Sequence, residues 1–240
     1  MALGVSSLIG SHRRVGYEAV ANEYYNTLAH PTCSSLREAS AIALSPWILG
    51  AEASNVIEVG GGKSIVADLI TAEKSYATLT ISDASESMLD HSRNLTGAAL
   101  VVAQADALPF DDASFDMLVA SLGDPYNGPP FWAEARRVIR SGGYVLFTTP
   151  SFEWISCYRG SLGLPNHEAE FVTRSGDVVS LPSRVIPIDE QLQEIHAAGL
   201  NGVEIREVSL SELHEPVAAK LRILDGSTNS ILTGFRVRVP

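Results

Sequence analysis

The chain has 240 residues, 45% of them hydrophobic, with a net charge of -11 and a pI near 4.9. That is enough apolar material for one substantial core, and the composition excludes disorder, collagen and a disulfide scaffold. The acidic balance repels phosphate backbones, so nucleic acid is an unlikely partner, and no stretch approaches the roughly 20 apolar residues of a membrane span.

Met1 to Gly10 is short and mildly apolar, and the basic pair Arg13 and Arg14 follows it, the wrong polarity for a secretion signal. Cys33 and Cys157 lie far apart without metal-type spacing and read as free thiols of a reducing compartment. A soluble, cytoplasmic protein is expected. Tyr17, Ala21, Tyr24, Tyr25 and Leu28 recur at helical spacing until His30-Pro31, and a second helix follows from about Ser35 to Leu49. These make an N-terminal helical cap over residues 1–50.

From Asn55 the pattern alternates strand and helix, the mark of right-handed βαβ units around a parallel sheet. The expected strands are Val56 to Val59, Ala77 to Ser82, Leu100 to Ala103, Phe115 to Ala120 and Tyr144 to Thr148. Helices are expected over Ser64 to Ile70 and Glu86 to Arg93. A further helix starts near Pro130, shows Phe131, Ala135, Val138 and Ile139 on one face, and is stopped by Gly142-Gly143. An insertion over about 151–187 carries a hairpin signal around Ser175-Gly176-Asp177. A helix with Asp189 as N-cap and Gly199 beyond its end follows. Val203 to Val208 and Ile231 to Val239 close the chain as an antiparallel edge pair. The fold class is thus α/β: a Rossmann-like, mostly parallel seven-stranded sheet with helices on both faces, occupying residues 51–240.

The strongest local signal is Val56-Ile57-Glu58-Val59-Gly60-Gly61-Gly62-Lys63-Ser64, an apolar strand running into glycines that open a helix. Glycine suits a place where a ligand must touch backbone. A phosphate-binding P-loop would need glycine where Ile57 stands, and a dinucleotide fingerprint would want a small residue where Ile65 stands. S-adenosylmethionine, which has no pyrophosphate, tolerates a looser turn. Asp83 ends the second strand, placed to take both ribose hydroxyls, and Asp106-Ala107 follows the third, placed for an adenine amino group and ring edge. Met88 and Ala107 to Phe110 supply apolar walls.

The chain resembles the class I S-adenosylmethionine-dependent methyltransferases over roughly Asn55 to Pro150. The motifs that carry the resemblance are Glu58 to Gly62, then Ile81 to Leu89, then Asp106 to Asp116, then Arg137 to Gly143, and the branch nearest in pattern includes the quinone-biosynthesis methyltransferases. The resemblance implies S-adenosylmethionine as methyl donor, with Glu58, Gly60, Gly61 and Gly62 beside its methionine part, Asp83 at the ribose and Asp106 at the adenine amino group; Ala84, Met88 and Ala107 are further expected cofactor contacts. The family often has a third glycine where this chain has Ser64. Asp116 is expected to belong to the structure of the fourth strand.

An acceptor must be met by the loop after that strand, the N-terminal segment and the insertion. Asp124-Pro125-Tyr126-Asn127 resembles the Asp-Pro-Pro-Tyr element of amino-methyltransferases, although a proline turn closed by Asn127-Gly128 explains it as well. Asp124 and Tyr126 are therefore candidate catalytic residues, and His167 is a candidate base. Tyr17, Tyr24 and Tyr25 either close over the cofactor, Tyr25 touching it, or pack against the core. The expected activity is methyl transfer to nitrogen or oxygen of a small-molecule acceptor. Action on a nucleobase amine and a non-catalytic binding subunit are the alternatives. The sequence does not set an oligomeric state, and it carries no metal motif.

Overall fold

A computed structural model describes residues 14–70, 76, 78–163, 167–223 and 229–240. The segment Met1 to Gly10 and Ala77 lie outside the described residues. Seven strands form one sheet in the order β4-β3-β2-β5-β6-β10-β9. They are β2 (Asn55–Val59), β3 (Thr78–Asp83), β4 (Ala98–Val102), β5 (Phe115–Ala120), β6 (Ile139–Pro150), β9 (Asn201–Ser209) and β10 (Ser230–Arg238). All neighbours pair parallel except β10, which runs antiparallel to both β6 and β9.

The sheet is covered on both faces because its central strands alternate one apolar residue to each side. Val56, Met117, Val119 and Leu146 pack beneath α2 (Pro31–Gly50) and α3 (Ile65–Leu69) through Leu44, Ile48, Ile65 and Val66. Ile57, Val59, Leu118, Val145 and Phe147 face α5 (Pro129–Val138) and α7 (Ile188–Ala197), whose Phe131, Trp132, Ala135 and Ile195 are fully buried. The long helix α2 lies close on β10 because its inward residues include Ala39, Ser40 and Ala43. A Cβ on Gly234 would come within 3.1 Å of Ala43 Cβ.

Several boundaries differ from the sequence reading, each for a local reason. The N-terminal helix is only a 3₁₀ turn, Tyr17–Ala19, and one α-turn, α1 (Ala21–Tyr24), so Leu28 lies outside it and is 94% exposed. The Pro130 helix ends at Val138, with Ile139 already extended as the start of a twelve-residue β6, so Gly142-Gly143 lies inside a strand and does not stop the helix. Pro187, not Asp189, caps α7. After Leu89 the second crossover helix tightens into a 3₁₀ turn at Asp90–Ser92, so α4 covers only Glu86–Leu89.

The insertion holds an unforeseen helix, α6 (Phe152–Leu162), capped by the Ser151 hydroxyl on the Trp154 amide and closed by left-handed Gly163. Beyond it, β7 (Glu168–Val172) and β8 (Val178–Pro182) form the expected hairpin. The chain's first described residues, β1 (Arg14–Val15), pair parallel with β8. Val20 packs with Phe171, Val179 and Leu181, and Tyr17 and Tyr24 lean on the same cluster. The cap and the insertion thus share one small sheet and one small core above the main sheet.

Candidate functional site

The order of the sheet reverses between β2 and β5, and a crevice at such a point, beyond the carboxyl ends of the strands, is where open α/β sheets bind ligands. Here it holds a cavity of about 670 Å³. Of the expected cofactor residues Glu58, Gly60, Gly61, Asp83, Ala84, Met88, Asp106 and Tyr25 line it. Gln104 and Ala105 line it too, and sequence reasoning missed both. Ala107 is turned away, its amide donating to the Gln104 carbonyl at 3.1 Å in a tight turn that brings Gln104 to the rim.

The glycine turn is held from below. Glu58, 1% exposed, accepts the Ser64 hydroxyl, the Ile65 amide at 2.7 Å and the Val66 amide at 3.4 Å, so its carboxyl caps the start of α3. Burial pushes the Glu58 carboxyl up to about 7, against the downward pull of the Ser64 and Ile65 bonds. Ser64 also accepts the Ala67 amide at 3.0 Å. A serine thus serves both Glu58 and the helix where the family often has glycine, and Glu58 acts by shaping the turn. At Gly61 a Cβ would meet Ile81 Cγ2 at 2.6 Å and Glu58 Cγ at 3.1 Å. Gly60 and Gly62 have φ of +63° and +40°, and side chains close on both: a Cβ on Gly60 would meet the Tyr126 hydroxyl at 2.6 Å.

Asp83, 9% exposed, accepts the Gly62 amide on one oxygen at 3.1 Å and the Ser85 amide on the other at 2.9 Å. Burial raises its carboxyl above the ordinary aspartate value, and the two backbone bonds oppose that rise. The cap is fastened to the same turn, since Ser85 and Ser87 both donate to Glu18. Tyr25 accepts the Lys63 amide at 2.9 Å and lies edge-on to Tyr24 and His91. Burial lifts its phenol to about 12. The tyrosines Tyr17, Tyr24 and Tyr25 pack on one another and also wall the cavity.

A second cavity of about 300 Å³ adjoins the first, sharing Tyr17, Tyr24, Cys33 and Leu122 as walls. Its other residues come largely from the insertion, among them Trp154, Tyr158, Arg159, Phe171 and Ser183, with Asp124 entering from the loop after β5. Asp124 is 7% exposed and accepts the Ser183 hydroxyl at 2.6 Å. Burial pushes its carboxyl up to about 6. The rest of the Asp124 to Asn127 segment is tied into the fold by its own hydrogen bonds. Tyr126 donates to the Val59 carbonyl at 2.7 Å with its ring edge-on to Phe131, and Asn127 is fully buried, its amide donating to Gln191. The Tyr126 ring also lines the first cavity, beside Pro125. His167 is exposed and lines neither cavity. Asp116 accepts the Ser54 and Asn55 amides at 2.8 Å each and pairs with Arg140, a structural role as expected.

A glycine turn and a strand-end acid thus meet in one crevice at the point where this sheet order reverses. The methyltransferase domain family matches residues 57–147, which supports a class I S-adenosylmethionine-dependent methyltransferase domain there. It is 31% identical over 128 residues to the ubiquinone/menaquinone biosynthesis C-methyltransferase of Paracoccus denitrificans, which takes in 47% of this chain and 51% of that protein. It is 37% identical over 92 residues to the phthiotriol/phenolphthiotriol dimycocerosates methyltransferase 1 of Mycobacterium ulcerans, covering 37% of this chain and 33% of that one. The chain thus spans about half the length of the first relative and a third of the second. An S-adenosylmethionine-dependent methyltransferase of Thermotoga maritima superposes with a TM-score of 0.61 at 19% identity over 93% of this chain and 98% of that one, a likeness of fold. Among the described residues no helix is long and apolar enough to cross a membrane, and no group of side chains could hold a metal ion. Cys33 and Cys157 are both free.

The cavity suits S-adenosylmethionine, the donor of this class. Its volume lies within the roughly 300–1,000 Å³ of small-ligand sites, the glycine turn lets a ligand approach backbone, and a carboxylate, Asp83, and an apolar side chain, Met88, line it.

Proposed function

We propose that this chain transfers the methyl group of S-adenosylmethionine to a nitrogen or oxygen of a compact small molecule seated in the second cavity, with Asp124 receiving the acceptor's proton. The observation that carries the reading is the pair of adjoining cavities, one lined by the glycine turn and Asp83 and the other walled by rings and by the buried carboxylate of Asp124.

When bound, S-adenosylmethionine supplies an electrophilic methyl carbon to the acceptor's lone pair. Asp83 holds the ribose, Gly60 to Gly62 and Asp106 the two ends of the donor, and Tyr17 and Tyr24 exclude water where the cavities meet. Alignment of this kind supplies effective molarities of about 10⁵ M or more. Asp124 is ionised at neutral pH yet close enough to its own value of about 6 to accept a proton. Carbon methylation is the second reading, supported by the C-methyltransferase relative. It uses the same residue, since loss of a ring hydroxyl proton is what makes a phenolic carbon nucleophilic. The net charge of -11 supports a small molecule over a polynucleotide, and two unbridged cysteines support a cytoplasmic setting.

Calorimetric titration with S-adenosylhomocysteine tests the donor site. Binding that Asp83→Ala weakens at least tenfold supports the reading, and equal binding by both proteins sinks it. Once an acceptor is found by screening, Asp124→Asn lowers turnover by about 100-fold or more with little change in S-adenosylhomocysteine affinity.

A further inference from the structure

Asp124 is gripped from outside its own loop. Its backbone carbonyl accepts the Arg184 amide at 2.8 Å, and its Oδ2 accepts the Ser183 hydroxyl. Arg159 Nη2 donates to Ser183 Oγ at 2.8 Å and to the Ser183 carbonyl at 3.3 Å. The three side chains are buried, at 7%, 5% and 2% exposure for Asp124, Ser183 and Arg159, and all three line the second cavity. Asp124 belongs to the main sheet's loop, whereas Arg159 sits on α6 and Ser183 directly follows β8. A chain of charged and hydroxyl groups this deeply buried is weak evidence for stability, since apolar packing would serve as well, and is better explained by orientation of the carboxylate it ends on.

We infer that Ser183 and Arg159 are positioning residues for Asp124: the insertion fixes one oxygen of the acceptor-side carboxylate and favours its charged form. The inference rests on Asp124 being the proton acceptor proposed above. The Ser183 hydroxyl can donate to Oδ2 only while Oδ2 is unprotonated, and the Arg159 guanidinium stands one group behind it, so both favour ionisation against the pull of burial. The other groups that feel Asp124 are the phenols of Tyr17, Tyr24 and Tyr126, all pushed well up by burial and hence uncharged. Cys33, His30, Tyr158, Glu168, Glu170 and Lys220 complete the ionisable lining of the cavity.

The test needs no acceptor. In an infrared pH titration of the purified protein, the carboxylic-acid band that Asp124→Asn deletes should titrate near pH 6. In Ser183→Ala its midpoint should rise by about one pH unit, a tenfold change in ionisation constant. Ser183→Thr, which keeps the hydroxyl, should restore it, and Arg159→Gln should raise it independently. A merely structural role would lower thermal stability without moving the midpoint, so folded Ser183→Ala and Arg159→Gln proteins with the wild-type midpoint overturn the inference while leaving Asp124 as base. If Asp124→Asn deletes no titrating band, Asp124 carries no proton in this range, and the base reading falls together with the positioning one.

Discussion

Replacing Glu58 by glutamine should make the protein's stability less dependent on pH, and the size of the effect follows from the site. Glu58 is 1% exposed at the N-terminus of α3, and its carboxyl lies at about 7 instead of the ordinary 4.5. Because the folded value is the higher one, the folded state binds this proton more tightly than the unfolded chain. The stability that protonation contributes is fully present below about pH 4.5 and is lost as pH rises through about 7. A separation of 7 − 4.5 = 2.5 units corresponds to about 3 kcal/mol. Glutamine keeps an oxygen for the Ile65 amide and can donate to Ser64 in place of accepting from it, so the cap survives. Urea unfolding of both proteins from pH 5 to pH 8 isolates the residue, because Asp83 and Asp124 contribute equally to each curve. Wild type should lose stability relative to Glu58→Gln across that interval, approaching 3 kcal/mol at the alkaline end. Parallel curves would show that Glu58 titrates normally and that its burial is compensated.

Gly61→Ala sets a methyl 2.6 Å from Ile81 Cγ2 and 3.1 Å from Glu58 Cγ, two buried neighbours, and should cost about 1–3 kcal/mol in thermal melts while weakening S-adenosylhomocysteine binding. Tyr126→Phe removes the bond to the Val59 carbonyl and should lower stability by about 1 kcal/mol with turnover largely kept, in contrast to Asp124→Asn. Cys33, whose thiol burial lifts to about 11, should react with iodoacetamide much more slowly than a free thiol at pH 8, and more slowly still with S-adenosylhomocysteine bound, since it lines the donor cavity.

The sequence alone determined the central sheet and the positions of the glycine turn and the strand-end acid on it. Local rules suffice there: apolar runs of strand length, glycines where a chain must turn against a ligand, and an acid at a strand's end are all written within a few consecutive residues, and β2, β5 and Asp83 stand where those rules put them. In that part of the chain, Ala107 was misjudged in favour of Gln104 because the direction in which each residue of a two-residue turn points depends on one hydrogen bond, Ala107 amide to Gln104 carbonyl, that no pattern encodes. The grouping around Asp124 was decided only by the tertiary structure. Asp124, Ser183 and Arg159 are separated by up to 59 residues in sequence and carry no shared motif. They meet because the insertion folds back onto the loop after β5 and pairs its hairpin with β1, the first strand among the described residues. Hydrophobic periodicity reports which face of an element is buried, not which distant element buries it. For that reason His167 drew notice as a lone histidine in the insertion, while Arg159, on a helix without clear amphipathic spacing, did not.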